Sequence, residues 1–179
     1  MSISETKVRE TKVPDLKKKK WTVKRISIMA IFIALSAVGA MIKIPSPIGS
    51  IGLDSCPGYF CALAFGSAEG AIIIAIGHLL SAAVVGFPLT IPIHLAVAVC
   101  MGILAVIFRL IGRKGTAGLV VSVVAIALLN SFGVGLLLLP LGGWGLYLAN
   151  IVSLLVAAAV NTIIAAIAYA SVKNSKLLS

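Results

Sequence analysis

Four uncharged stretches dominate this chain and leave few folds open to it. Ile26–Ile42, Ser55–Ala68, Gly70–Phe108 and Gly115–Val172 contain no Asp, Glu, Lys or Arg. A helix needs about 20 apolar residues to cross a hydrocarbon core ~30 Å thick. The 39-residue stretch from Gly70 therefore predicts two crossings, broken at Gly86-Phe87-Pro88. The 58-residue stretch from Gly115 predicts two more, broken at Pro140-Leu141-Gly142-Gly143, because proline and paired glycines end helices. Only 11% of the 179 residues are charged and 60% are hydrophobic, against about 25% and 45–50% in a soluble domain. A water-soluble fold is excluded.

The expected architecture is an all-α membrane protein with six transmembrane helices and both termini cytoplasmic. The helices are placed at about 26–44, 56–67, 69–86, 89–110, 116–138 and 145–172, within a membrane domain spanning 25–173. The second is short: twelve residues at 1.5 Å each reach ~18 Å, so a re-entrant segment is the alternative there. Pro57 suits its first turn, where a missing N–H costs nothing.

Charge placement supports the six-helix count. Net charge is +10, but nine of the fifteen cations lie within the first 25 residues. With six helices, the N-terminal tail, the turns at 67–69 and 111–115, and the C-terminus share the cytoplasmic side. They and the adjoining helix end then hold fourteen of the fifteen Lys and Arg, leaving only Lys43 outside. Residues 1–24, with the run Lys17 to Lys20, are expected to be a disordered basic cytoplasmic tail touching anionic lipid, and 174–179 a short cytoplasmic tail. A basic tail on a neutral apolar body does not indicate nucleic-acid binding.

No Gly-x-x-x-x-Gly-Lys-[Ser/Thr], His-Glu-x-x-His or Gly-x-Ser-x-Gly motif occurs, and no pair of acids lies within the expected bilayer. Catalysis is not expected, nor does any motif ask for a cofactor. Cys56, Cys61 and Cys100 are odd in number and scattered in apolar sequence, which suits small buried hydrophobes better than a disulfide or zinc site. The chain reads as a binding module that draws its energy from elsewhere.

Polar groups in hydrocarbon need a partner or a function. His94 and Asn150 lie about five residues from the outer ends of helices 4 and 6, and Asn130 and Ser131 about eight from that of helix 5. At 1.5 Å per residue these depths are roughly 7–12 Å, one level in the outer leaflet. Near it stand Phe87, Phe132, Trp144 and Tyr147, while Tyr59 and Phe60 open helix 2. Polar groups with aromatic walls and no net charge suit a neutral aromatic or polyol ligand entering from outside. The competing account has Asn130, Asn150 and Asn161 hydrogen-bonding between helices and the aromatics forming an interfacial belt. His78, alone near mid-membrane, is expected to be hydrogen-bonded structure, and Glu69 to serve the dipole of helix 3. Asp54 ends a Gly/Ser/Pro-rich external loop, where it can cap helix 2 or belong to a gate. Ala30, Ala34 and Ala37 form a small-residue stripe that permits close helix approach.

Over residues 25–172 the chain resembles the substrate-binding S component of energy-coupling factor (ECF) vitamin transporters. The resemblance is carried by Ala30-x-x-x-Ala34, by Gly49-Ser-Ile-Gly-Leu-Asp54-Ser-Cys-Pro57-Gly-Tyr-Phe and by Ala64-Phe-Gly66-Ser-Ala-Glu-Gly70. Gly77-His78-Leu-Leu and Gly86-Phe-Pro-Leu-Thr-Ile-Pro-Ile-His94 complete it. It implies a multi-pass protein of a prokaryotic plasma membrane whose partners are a T component, docked on the Ala30 and Ala34 face, and two ATPases. It implies a ligand site built from the loop after helix 1 and from helices 4, 5 and 6, which agrees with that convergence; the expected ligand residues are Asp54, Tyr59, His94, Asn130, Trp144, Tyr147 and Asn150. Leu-Asp-Ser-x-Pro-Gly-Tyr-Phe with Gly-His-Leu-Leu and Gly-Phe-Pro-Leu looks like the branch associated with α-ribazole, a benzimidazole riboside precursor of cobamides. Another vitamin (riboflavin, pantothenate or a thiamin precursor), or stand-alone proton-coupled transport, are the alternatives.

Overall fold

The computed structural model describes residues 21–46 and 49–175, so the expectations for most of the basic tail and for 176–179 lie outside the described residues. Six helical rods follow one another along the chain. The first, α1 (Val23–Gly39), starts three residues earlier than expected because Thr22 serves as its N-cap, its hydroxyl accepting from the Arg25 amide at 3.3 Å. It also ends earlier. The segment expected to close the first helix and open a loop instead forms a hairpin, β1 (Lys43–Ser46) antiparallel to β2 (Gly49–Gly52), with Lys43 opposite Gly52 and Ser46 opposite Gly49. The fold is thus mostly helical rather than wholly so. Pro45 explains the change, since it cannot donate to a helix and suits a short edge ribbon. The hairpin is stitched back to α1, the Leu53 amide facing the carbonyls of Gly39 (3.1 Å) and Ile42 (3.2 Å).

The next helix, α2 (Cys56–Ala64), has nine residues and cannot cross a bilayer at 1.5 Å per residue. It lies inside the bundle, with Tyr59, Cys61, Ala62 and Leu63 buried. A buried helix end must find partners for its unpaired backbone groups, and here they come from far along the chain. Asn161 Oδ1 accepts from the amides of Ser55 (3.1 Å) and Cys56 (2.7 Å) at the N-terminal end. At the other end Arg109 donates to the carbonyls of Ala62 and Leu63, and Arg113 donates to Leu63 at 3.2 Å.

The third rod, α3 (Ser67–Val84), packs against α2 through glycines. A Cβ on Gly58 would stand 2.9 Å from the Ile74 backbone, and one on Gly70 only 2.6 Å from that of Ala62, so only hydrogen fits at either crossing. Glu69 occupies the first turn of α3, as the dipole argument expects, but is also buried in an ion pair with Arg25 of α1. The expected break follows: α4 (Ile91–Gly112) begins after a loop in which Gly86, Phe87 and Thr90 all have positive φ. The fifth rod, α5 (Gly115–Leu128), widens into a π-helical turn over Leu129–Gly133 and tightens to 3-10 turns over Val134–Leu138. The last, α6 (Leu139–Val172), is interrupted at Gly142 and Gly143, where the sequence puts its second break.

The core is Tyr59, Leu63, Ile74, Phe108 and Ile126, with Ala62, Ala105 and Ala165 allowing the rods to approach. Tyr59 meets Phe108 edge-on at 5.1 Å. Ile31, Leu35, Val99, Ile103, Val120 and Val152 face outward, whereas Ser36, Ser122, Ser131, Asn150 and Thr162 are fully buried. An apolar exterior around a partly polar interior is what lipid, not water, stabilises. Ser67–Val84, Ile91–Gly112 and the double rod Gly115–Val172 are long and apolar enough to cross a membrane.

Candidate functional site

A cavity of about 160 Å³ opens between the base of the hairpin, the start of α2, and α3, α4, the π-helical turn and α6. Asp54 reaches it from the residues preceding α2, Tyr59 from one turn inside α2, and His78 from α3. His94 stands in the first turn of α4, whose start is set by Pro92. Asn130 reaches the wall from the π-helical turn. Such a turn adds a residue to the helical repeat and so redirects side chains, a device common at binding sites. Met101, Leu154 and Ala157 supply apolar wall, and Lys43 stands at the exposed rim.

Three of these side chains are linked. His78 Nε2 lies 3.1 Å from His94 Nδ1, and His78 Nδ1 lies 3.6 Å from Asp54 Oδ2. Asp54 Oδ1 accepts from the Ser55 hydroxyl at 2.9 Å. The Leu89 amide donates to His94 Nε2 at 3.3 Å, and the Phe87 ring meets the His94 ring edge-on at 5.6 Å. Asn130 is half-buried, and its amide makes no hydrogen bond among the described residues. Its donor pair and acceptor are therefore unspent at the cavity wall. Asp54 and Lys43 are the one carboxyl and the one amine of the lining and offset each other. No three His, Cys, Asp or Glu side chains converge as metal ligands among the described residues.

Of the seven expected ligand residues, Asp54, Tyr59, His94 and Asn130 line this cavity and three do not. Asn150 is buried on another errand: its Oδ1 accepts from the Ser46 hydroxyl at 2.7 Å and its Nδ2 donates to the Leu146 carbonyl at 2.8 Å, tying the hairpin to α6. Tyr147 is buried behind the wall, its ring against Gly135 and its hydroxyl donating to the Phe132 carbonyl at 3.2 Å. Trp144 is 64% exposed and packs edge-on to Tyr147 at 5.7 Å. Asn161 and His78, both read from sequence as structural, line the cavity as well as making hydrogen bonds. Asp54 does not cap α2; Ser55 holds that position without a side-chain bond, and Asn161 supplies the acceptor. Ala30 and Ala34 both lie on the exposed face of α1.

The family model described as the substrate-specific component of ECF transporters matches residues 24–172. Among solved structures, one described as the S component of a bacterial ECF transporter is similar with a TM-score of 0.59. It shares 17% sequence identity, and the match covers 84% of this chain and 93% of that one, a likeness of fold. No curated protein matches this chain in sequence. A fold of this kind, a polar cavity enclosed by apolar rods and a family match over nearly all the described residues lead to one assignment: the chain belongs to the substrate-specific components of ECF transporters.

Proposed function

We propose that this chain captures a small uncharged vitamin precursor, α-ribazole above others, in the cavity beside Asp54, His78, His94 and Asn130. Membership in the family implies partnership with a T component and ATPases. In this reading two ATPases drive delivery, the chain sits in a prokaryotic plasma membrane with both termini cytoplasmic, and the hairpin end faces outward. One observation carries the substrate assignment. The segments resembling the α-ribazole branch are those that reach the cavity: Asp54, Ser55 and Tyr59 from the first, His78 from the second, Pro88 and Leu89 from the third. An enclosed space of ~150 Å³ holds a benzene ring, so this one, about 160 Å³, has room for part of a planar ring, and the rest of a riboside would extend through its open mouth. In this reading the ring enters first with the ribose hydroxyls toward the rim, and Asn130 can both donate to and accept from such a ligand.

The test is titration of the purified full chain in nanodiscs, without ATP, against α-ribazole, riboflavin, thiamin and pantothenate. The expected result is one-to-one binding of α-ribazole, weakened about tenfold by Asn130→Ala, the cost of one or two lost hydrogen bonds. Binding of a different vitamin alone overturns the substrate, and binding of none overturns the capture role. Accumulation by the lone chain in proteoliposomes under a pH gradient overturns ATP-driven delivery.

A further inference from the structure

We propose that His78 is a positioning residue that acts through His94 to hold the loop Val85–Thr90 in place as a wall of the cavity. The argument starts from a backbone amide. Leu89 N–H can only donate, so His94 Nε2, 3.3 Å away, accepts and carries no proton. The proton of neutral His94 is then on Nδ1, which faces His78 Nε2 at 3.1 Å. That nitrogen must accept in turn, which places the His78 proton on Nδ1, toward Asp54 Oδ2 at 3.6 Å. The carboxylate ends the chain, its other oxygen held by the Ser55 hydroxyl. One arrangement of protons suits the amide and both rings, and every donation in it runs from the loop toward Asp54.

The loop needs such a tether. Phe87 (φ 52°) and Thr90 (φ 76°, ψ 153°) are both non-glycine residues at positive φ. The Thr90 combination belongs to a region populated almost solely by glycine, and such conformations persist only where surrounding contacts over-determine them. Val85, Pro88 and Leu89 of this segment form part of the cavity wall. Among the described residues, the bond from Leu89 to His94 is the one side-chain hydrogen bond joining the loop to a neighbouring helix. Without His78 the His94 ring loses the partner that fixes its proton on Nδ1. The commoner arrangement, with the proton on Nε2, then turns the ring's acceptor away from Leu89 and frees the loop. The inference concerns the protein's own side chains and holds whichever ligand the cavity takes.

Two measurements on the full chain in nanodiscs test it without any ligand. Nitrogen NMR of the wild-type chain labelled at histidine reads only two imidazoles, since the sequence has two histidines; both are expected to carry the proton on Nδ1 at neutral pH. His94 with its proton on Nε2 overturns the proposal, and because no substitution is involved the result stands even if the variants misfold. Hydrogen exchange then reads the loop. His78→Leu is expected to speed amide exchange at 86, 87, 89 and 90 about tenfold while leaving the core of α4 unchanged. His78→Gln, whose amide oxygen accepts and whose NH2 donates over a similar reach, is expected to restore slow exchange. Loop exchange unaltered by His78→Leu, or raised equally by Gln and Leu, overturns it.

Discussion

Replacing Asn161 with leucine should damage the protein far more than replacing Asn150, although both asparagines sit on α6 and both donate back to the carbonyl four residues earlier. The difference lies in what each Oδ1 accepts. Asn161 takes two backbone amides, the buried one of Ser55 at 3.1 Å and the half-buried one of Cys56 at 2.7 Å. Asn150 takes the Ser46 hydroxyl at 2.7 Å, and a hydroxyl can rotate to another acceptor. Orphaning a buried donor costs about 1–3 kcal/mol, so Asn161→Leu removes up to about 2–6 kcal/mol. Because Asn161 borders the cavity, a water molecule can take over one amide, which brings the expectation to about 2–3 kcal/mol. For a chain of this length that is a fall in Tm of about 4–12 °C, against about 1–4 °C for Asn150→Leu at ~0.5–1 kcal/mol. Thermal unfolding of both variants in one detergent measures the contrast. Equal losses, or an Asn161→Leu protein that melts with the wild type, would refute the view that α6 caps α2.

Ala30→Trp and Ala34→Trp place bulk on an exposed face of α1, so each should melt within about 1–2 °C of the wild type, as surface changes do. Each should still bind ligand yet no longer co-purify with a T component and ATPases; retention of the complex by both variants would remove α1 as the docking face. Gly70→Ala puts a methyl where the Ala62 backbone stands 2.6 Å away, and should cost about 1–3 kcal/mol by forcing α2 and α3 apart. Wild-type melting of that variant would show that the two helices can separate without penalty.

The rods and their interruptions were legible because their causes are local. Uncharged runs, the Gly86-Phe87-Pro88 break and the glycine pair at 142–143 act where they stand, and the brevity of α2 shows in the spacing of Asp54 and Glu69. The hairpin was not legible, because four-residue strands bounded by Pro and Gly look the same as a loop until they pair. Depth alone brought His94, Asn130 and Asn150 to one level, but depth does not say which way a side chain faces. Asn150, Leu154, Ala157 and Asn161 recur at helical spacing and form one stripe on α6; its upper end meets the hairpin and its lower end the start of α2. That stripe was visible in the spacing and would have tied Asn161 to the cavity. No local pattern joins His78 to His94, 16 residues away on the next helix.

Arg109 and Arg113 have a consequence beyond their charge. The guanidinium groups that orient this turn in a membrane, in the proposed topology, are the same ones that close the carbonyl end of α2. Lys114 and the basic tail would keep the insertion signal if either arginine were lost. The short helix has no such reserve, because one Arg109 nitrogen meets both the Ala62 and Leu63 carbonyls, and a lysine at 109 would carry the charge on a shorter side chain that stops short of that point. Drift at these two positions is therefore constrained by an interior helix, although by charge alone it would pass as a neutral exchange at the membrane surface.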